Sequence, residues 1–268
     1  MKEKLNELIC KLRERESVLV ALSGGVDSSL VAAISKIALG DNAVAITANS
    51  ITLPPGELEE ARRIAKEIGI RHLVIKVDEL RNLNLARNPP NRCYYCKKEL
   101  IAEFRRVAER MGLKTLVDGT NSEDLKTHRP GVKALREERV YSPLAELGIT
   151  KSEVRKLARL LNLSTVDKPS MACLASRIPY GETITIRRLT RAAEAEKFIK
   201  SVTRVKQLRV RDYENLARIE VGREERKLFF NEKSLDVITA GLRSLGYIYV
   251  TLDMEGYRTG SMDKPLGR

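Results

Sequence analysis

Tryptophan is absent from this chain of 268 residues, and aromatic residues make up only 4% of it. Few flat side chains are therefore at hand to stack unpaired bases, which argues against nucleic acid as a partner. Long apolar runs are missing too. No stretch approaches the ~18 uncharged residues of a membrane-spanning helix, which excludes a helical span. The opening segment, MKEKLNELICKLRERES, is charged throughout and lacks the apolar centre of a secretory signal. A cytoplasmic protein with no membrane contact is expected. Cysteine is scarce, at Cys10, Cys93, Cys96 and Cys173, and histidine scarcer, at His72 and His128. In a reducing compartment structural disulfides are not expected, so clustered thiols point to a metal or to catalysis. Repeats and low-complexity tracts are also lacking.

What is present is charge and enough apolar surface to bury. Charged residues make up 32% and hydrophobic ones 43%, which excludes wholesale disorder. Lys and Arg exceed Asp and Glu by 49 to 36, a net charge of +13, spread along the chain without a polybasic tail. Such a balance suits a solvated surface or an anionic substrate such as a nucleotide or RNA, and charge alone leaves both open.

Apolar periodicity predicts helices over 3–15, 57–68, 97–111 and 151–161, with strands over 17–22, 43–47, 71–77 and 115–118. Thr150, followed three residues on by Glu153, reads as a capping box. On the first helix, Cys10 reads as a buried small hydrophobe of the apolar face. Strands alternating with helices predict an α/β fold, a doubly wound parallel sheet with its ligand at the carboxyl ends of the strands. After 179–181 the rhythm changes. Helices at 187–200 and 231–245 alternate with strands at 205–211, 216–221 and 247–252, which predicts a first domain over 1–180 and a smaller α+β domain over 181–268.

The most informative segment is Ser23-Gly24-Gly25-Val26-Asp27-Ser28-Ser29, set between a strand and a helix. The glycines allow backbone angles that a Cβ resists, so amides can converge. A helix N-terminus presents positive charge, and together these make an anion cradle. Asp27 is out of place for an anion alone and suits Mg²⁺ bound to phosphates. The spacing is neither GxxxxGK[ST] nor GxGxxG, which excludes the ordinary phosphoryl-transfer loop and the dinucleotide fingerprint.

Asn91-Arg92-Cys93-Tyr94-Tyr95-Cys96-Lys97 places two thiols two residues apart in a loop ahead of a helix. Alone, the pair fits a redox couple, half a zinc site or half an iron–sulfur site. Cys173, in PSMACLASRIP, is a third candidate ligand. Three thiolates with an open fourth position fit a 4Fe-4S cluster with one exposed iron, or zinc with a water.

SGGVDSS resembles the signature of the PP-loop ATP pyrophosphatases, which use ATP to adenylate a substrate and release pyrophosphate. The resemblance implies that Ser23, Gly24, Gly25, Asp27, Ser28 and Ser29 hold the β,γ-phosphates and Mg²⁺. It places Thr47, Ala48 and Asn49 beside the adenosine, and Asp118, Gly119, Thr120 and Asn121 beyond the α-phosphate. With NRCYYCK, PSMACLASRIPYGE and LDMEGYRTGSMD added, the motifs over 23–263 resemble the LarE family. These sulfur transferases adenylate pyridinium-3,5-biscarboxylic acid mononucleotide and replace carboxylate oxygen with sulfur in nickel-pincer cofactor biosynthesis. One kind sacrifices a cysteine sulfur; the other uses a 4Fe-4S cluster on three cysteines. Cys93, Cys96 and Cys173 put this sequence with the second kind, using sulfide or a sulfur donor. The resemblance also implies a homo-oligomer.

The mononucleotide bears a phosphate and carboxylates, so cations should converge on it. Arg209 and Arg211 fall on one face of a predicted strand, with Glu220 able to order them or bind a metal; the resemblance assigns these to the substrate region. Arg177, four residues after Cys173, suits a phosphate, a contact that tunes the cluster, or an internal ion pair. Rival readings are a tRNA thiolation enzyme of the same class, an ammonia-using amidotransferase, and a nucleotide-binding metal sensor.

Overall fold

The apolar run at 18–20 is buried throughout and faces two cores at once. Val18 and Val20 pack into one hydrophobic cluster and Leu19 into another. A period of two with both sets buried is the mark of a strand covered on both faces. The computed structural model describes residues 1–126, 130–169, 171–258 and 260–267. His128, and the motif residues Ser170 and Thr259, lie outside the described residues.

Along the chain come α1 (Lys2–Arg13), β1 (Val18–Ala21), α2 (Val26–Leu39), β2 (Ala43–Asn49), α3 (Glu57–Ile68) and β3 (Arg71–Lys76). Next are α4 (Leu83–Ala86), α5 (Arg92–Arg110), β4 (Thr115–Val117), α6 (Pro130–Glu137), α7 (Pro143–Glu146) and α8 (Lys151–Leu160). The last stretch holds α9 (Ile186–Thr203), β5 (Leu208–Tyr213), β6 (Leu216–Val221), α10 (Glu232–Ser244) and β7 (Tyr249–Leu252). The chain divides into two compact units, Met1–Glu79 with Asn91–Met171, and Leu80–Pro90 with Ala172–Arg268.

In the first unit all pairings of the sheet β3-β2-β1-β4 are parallel. Residues of α1, α2, α3 and α8 share one core with Val18, Val20, Ala43 and Ala45; residues of α5 and α6 share the other with Leu19, Val44 and Ile46. This is the doubly wound α/β sheet that the sequence predicts. The chain moves outward from β1 to β3, then returns to place β4 on the other side of β1. The strand order therefore reverses between β1 and β4, and ligands of such sheets bind at the carboxyl ends beside that reversal.

The second unit pairs β5 with β6 as an antiparallel hairpin and adds β7 parallel to β6. Leu208, Val210, Ala217, Ile219 and Val221 pack with Ala195 and Ile199 of α9 and Ile238 and Leu242 of α10. By strand alternation the opposite face carries Arg209, Arg211, Arg218 and Glu220. Asn88 fastens the Leu80–Pro90 excursion to this unit. Its side-chain amide donates to the carbonyls of Ile178 and Pro179 at 3.2 and 2.7 Å, and its own carbonyl accepts from Gly181 N–H at 2.9 Å.

Two local expectations are corrected. Cys10 is exposed, because α1 buries Leu8 and Leu12, and a residue two positions from each points to the opposite side of the helix. The Cys-Tyr-Tyr-Cys segment is not a loop before a helix but the first turns of α5, which begins at Arg92. Cys and Tyr have weak helix propensity, so the helical pattern reads clearly only from Lys97 onward. Among the described residues no helix is long and apolar enough to cross a membrane.

The capping box of α8 forms as its sequence predicts. Thr150 Oγ1 accepts from Glu153 N–H, and Glu153 Oε2 accepts from Thr150 N–H at 2.9 Å. Lys4 of α1, 2.7 Å from Glu153 Oε1, and Thr150 hold that carboxyl down to about 2. Thr150→Ala is expected to cost about 1 kcal/mol of unfolding free energy. Because the folded-state pKa of Glu153 is depressed, its contribution is present above the ordinary carboxyl range and is lost as pH falls toward 2. Urea unfolding from pH 7 to pH 3 should show a shallower acid loss in Glu153→Gln than in the parent chain.

Candidate functional site

The loop from β1 into α2 closes on itself through hydroxyls. Ser23 N–H donates to Ser28 Oγ at 3.2 Å, and the two hydroxyl oxygens are 3.0 Å apart. Ser28 and Ser29 donate to the Gly25 carbonyl at 3.1 and 2.8 Å. Gly24 sits at φ +73°, in the left-handed region, with its missing Cβ position 3.3 Å from Ala61 N. Gly25, at φ −83° and ψ 160°, has an ordinary extended conformation, so the backbone demand for glycine falls on Gly24. The first N–H groups of α2 lack partners within the helix and open onto this loop.

The turn after β4 lies against the same helix start. A Cβ on Gly119 would stand 2.7 Å from Ser28 N and 2.9 Å from the carbonyl carbon of Asp27. Asp118 shapes the turn, accepting from Thr120 N–H at 3.2 Å, from the Thr120 hydroxyl at 2.6 Å and from the Ser142 hydroxyl at 2.5 Å. Asn121, buried, donates from Nδ2 to Asp27 Oδ1 at 3.1 Å. The two motifs are thus joined side chain to side chain and backbone to backbone.

Sequence reasoning missed two ammonium groups here. Lys151, the first residue of α8, forms an ion pair with Asp27. Lys168 donates to the Gly24 carbonyl at 3.1 Å and to Glu57 Oε2 at 2.9 Å. The only signal for either was a lysine next to a recognisable feature, the capping box and the PSMAC segment. At the end of β2, buried Thr47 donates to the Leu22 carbonyl at 2.6 Å, which leaves its oxygen to accept from His72 Nε2–H at 2.8 Å. Burial, then the charge of Arg62, lowers the pKa of His72 and keeps its ring neutral at pH 7. Ala48 and Asn49 end the same strand, with Asn49 exposed.

Cys93 and Cys96 lie at i and i+3 on the first turns of α5, so their sulfurs share one face of the positive end of a helix. Cys96 donates to Glu79 Oε1 at 3.5 Å, and Glu79, buried, accepts from Thr52 at 2.6 Å. Cys173, in the second unit, heads the short helical turn Leu174–Arg177 and is exposed. Among the described residues the cysteines form no disulfide, and no set of three or more His, Cys, Asp and Glu side chains is gathered to hold a metal. The donor chemistry of Cys93 and Cys96, two thiols one helical turn apart, suits a soft metal.

Arg177 is fully buried and serves as an internal anchor. It forks onto Glu196 of α9 at 2.8 and 3.0 Å and donates to the carbonyls of Ala172 and Cys173 at 2.8 and 3.2 Å. Among the readings open for it, the internal ion pair with Glu196 is formed. Arg211 forks onto Glu220 Oε2 at 3.0 and 2.6 Å and donates to the Ser176 carbonyl at 2.9 Å. Glu220, also buried, accepts from Arg218 at 2.8 Å and from Ser261 at 3.1 Å, so it orders the arginines. Arg209 donates to the Leu208 carbonyl at 2.7 Å and lies over the Tyr257 ring. Burial, then the like charge of Arg177, pushes its guanidinium pKa down.

Known proteins resemble this chain to different extents. The NAD synthase family matches residues 2–114. An uncharacterized protein of Synechocystis is 44% identical over 266 residues, 99% of each chain. Pyridinium-3,5-bisthiocarboxylic acid mononucleotide synthase of Lactiplantibacillus plantarum is 35% identical over 262 residues, 97% of this chain and 93% of that one. One component of a glutamine-hydrolyzing GMP synthase from Methanococcus maripaludis is 32% identical over 177 residues, 61% of this chain and 55% of that one.

A methyl at Gly119 would press backbone against backbone, which no rotamer change relieves. Gly119→Ala is expected to destabilise the chain by roughly 1–3 kcal/mol in urea unfolding. Gly25→Ala, whose Cβ would meet only Ser23 Oγ at 3.5 Å, should unfold within about 1 kcal/mol of the parent. Equal losses in the two variants would contradict the close approach.

Proposed function

The chain belongs to the LarE family, and we propose that it is an ATP-dependent sulfur transferase of nickel-pincer cofactor biosynthesis. Its substrate in this reading is pyridinium-3,5-biscarboxylic acid mononucleotide. One carboxylate is adenylated and its oxygen exchanged for sulfur. The observation that carries the reading is the Ser23–Ser29 loop at the sheet's reversal point, faced by the Asp118–Asn121 turn, in a chain alike along its length to a synthase of the thiolated product.

A free carboxylate is a poor acyl donor because its leaving group would be oxide. Transfer of AMP from ATP makes a mixed anhydride and releases pyrophosphate. The N–H groups and hydroxyls of Ser23, Gly24, Gly25, Ser28 and Ser29 hold the β,γ-phosphates and stabilise charge on the leaving pyrophosphate. Asp27 is the carboxylate for Mg²⁺, which when bound neutralises that charge further. Lys151, paired with Asp27, brings a cation to the same carboxylate. Thr47 and Ala48 border the adenosine, and Asp118 to Asn121 the α-phosphate. Replacement of AMP by sulfur at the acyl carbon then leaves a thiocarboxylate.

Cys93, Cys96 and Cys173 are the thiolates for a 4Fe-4S cluster, which when bound supplies a soft, deprotonated sulfur nucleophile at neutral pH, renewed from sulfide or another donor. Arg177 holds the carbonyls of Ala172 and Cys173, and Arg211, set by Glu220, holds Ser176; together they fix the turn that presents Cys173. The phosphate and remaining carboxylate of the substrate are assigned to the arginine-rich smaller unit, with Arg209 and Arg211 as its cations. The enzyme works in this reading as a cytoplasmic homo-oligomer, where thiols stay reduced.

Anaerobic reconstitution with iron and sulfide, followed by ATP, Mg²⁺, sulfide and the biscarboxylic mononucleotide, tests this. Mass spectrometry should find several thiolated products per chain with Cys173 intact. Serine at any one of Cys93, Cys96 or Cys173 should abolish both cluster iron and turnover. A single turnover leaving dehydroalanine at Cys173 would contradict the cluster, and absence of pyrophosphate release would contradict adenylation.

A further inference from the structure

The peptide joining Gly24 to Gly25 is flanked by glycine on both sides. Such a unit rotates between orientations at low cost, because neither residue carries a Cβ to oppose the turn. Yet the cradle needs one orientation. In a trans peptide the carbonyl and the next N–H point to opposite edges, and this one is trans. Whatever holds the Gly24 carbonyl on one side therefore fixes the Gly25 N–H on the other.

The Gly24 carbonyl is held by Lys168 Nζ at 3.1 Å. The ammonium is itself fixed at 2.9 Å by Glu57 at the start of α3, and the two side chains are only 16% and 14% exposed. On the opposite edge the Gly25 N–H reaches the Ser23 hydroxyl at 3.5 Å. That bond is long enough to yield to a stronger acceptor such as a phosphate oxygen.

We propose that Lys168 is a positioning residue for the triphosphate cradle, acting through the Gly24–Gly25 peptide to aim the Gly25 N–H at the ligand; this rests on the reading of the loop as the ATP site. A charge-assisted bond from a shielded ammonium outweighs the small preference of a diglycine peptide for either orientation. Glu57 belongs to the same device, since it keeps the ammonium from turning to solvent.

Calorimetric titration of the full chain with Mg·ATP and separately with AMP tests the assignment. Lys168→Met should weaken ATP about tenfold while leaving AMP, which has no β,γ-phosphates, within about twofold. Lys168→Arg should recover most of the ATP affinity. Glu57→Gln, whose amide oxygen still accepts from the ammonium, should show a smaller loss confined to ATP. Unchanged ATP affinity in Lys168→Met, or equal weakening of ATP and AMP, would overturn the proposal. Should Lys168→Met fail to fold, by circular dichroism, Glu57→Gln carries the test, and an undiminished ATP affinity there overturns it. A parent chain that binds no ATP overturns the ATP reading itself, and this inference with it.

Discussion

The carboxyl end of the parallel sheet depends on one close approach of backbone to backbone. The turn after β4 lies against the first residues of α2 so tightly that Gly119 has no room for a methyl group. The approach exists because β1 and β4 are parallel neighbours, so their carboxyl ends open side by side. From it follow the bond between Asn121 and Asp27 and the enclosure of the loop from the β4 side. A dense lattice of hydrogen bonds then replaces what two glycines leave undetermined. Ser23, Ser28 and Ser29 tie the loop to itself, while Lys151 and Lys168 tie it to α8 and to the segment beyond.

Charge is used in both units to fix backbone rather than merely to solvate a surface. Lys168 with Glu57, Arg177 with Glu196 and Arg211 with Glu220 each combine a shielded ion pair with a bond from the cation to a main-chain carbonyl. Shielded pairs of this kind add little net stability over apolar packing, but losing one partner strands a charge, so they hold a single arrangement. The carbonyls they hold belong to Gly24, Cys173 and Ser176, all in motifs that the sequence marks as chemical.

The parallel sheet was legible because a strand buried on both faces leaves a short unbroken apolar run, and each run here ends at a turn signal. The capping box of α8 was legible because its logic is local. The Ser23–Ser29 loop could be found, and the demand for glycine at Gly24 is met by its backbone, but the same demand at Gly25 is not seen. Less accessible was anything decided by partners distant in the chain. Lys151 and Lys168 are ordinary lysines until the fold sets them beside Asp27 and Gly24, residues 124 and 144 positions away. Arg177 could be read as a ligand contact or as an anchor, and only Glu196 on another element decides it. Cys93 and Cys96 read as loop because helix propensity is weak there, whereas α5 begins at Arg92 and includes both.

The central claim is that the loop between β1 and α2 holds ATP for cleavage between its α- and β-phosphates. Positional isotope exchange measures this directly, using ATP carrying oxygen-18 in the α–β bridge. With Mg²⁺ and the biscarboxylic mononucleotide present, the account predicts that label migrates from the bridge to non-bridging positions of the β-phosphate, and does so only when the acceptor is added. Retention of the label in the α–β bridge while orthophosphate is released would contradict it.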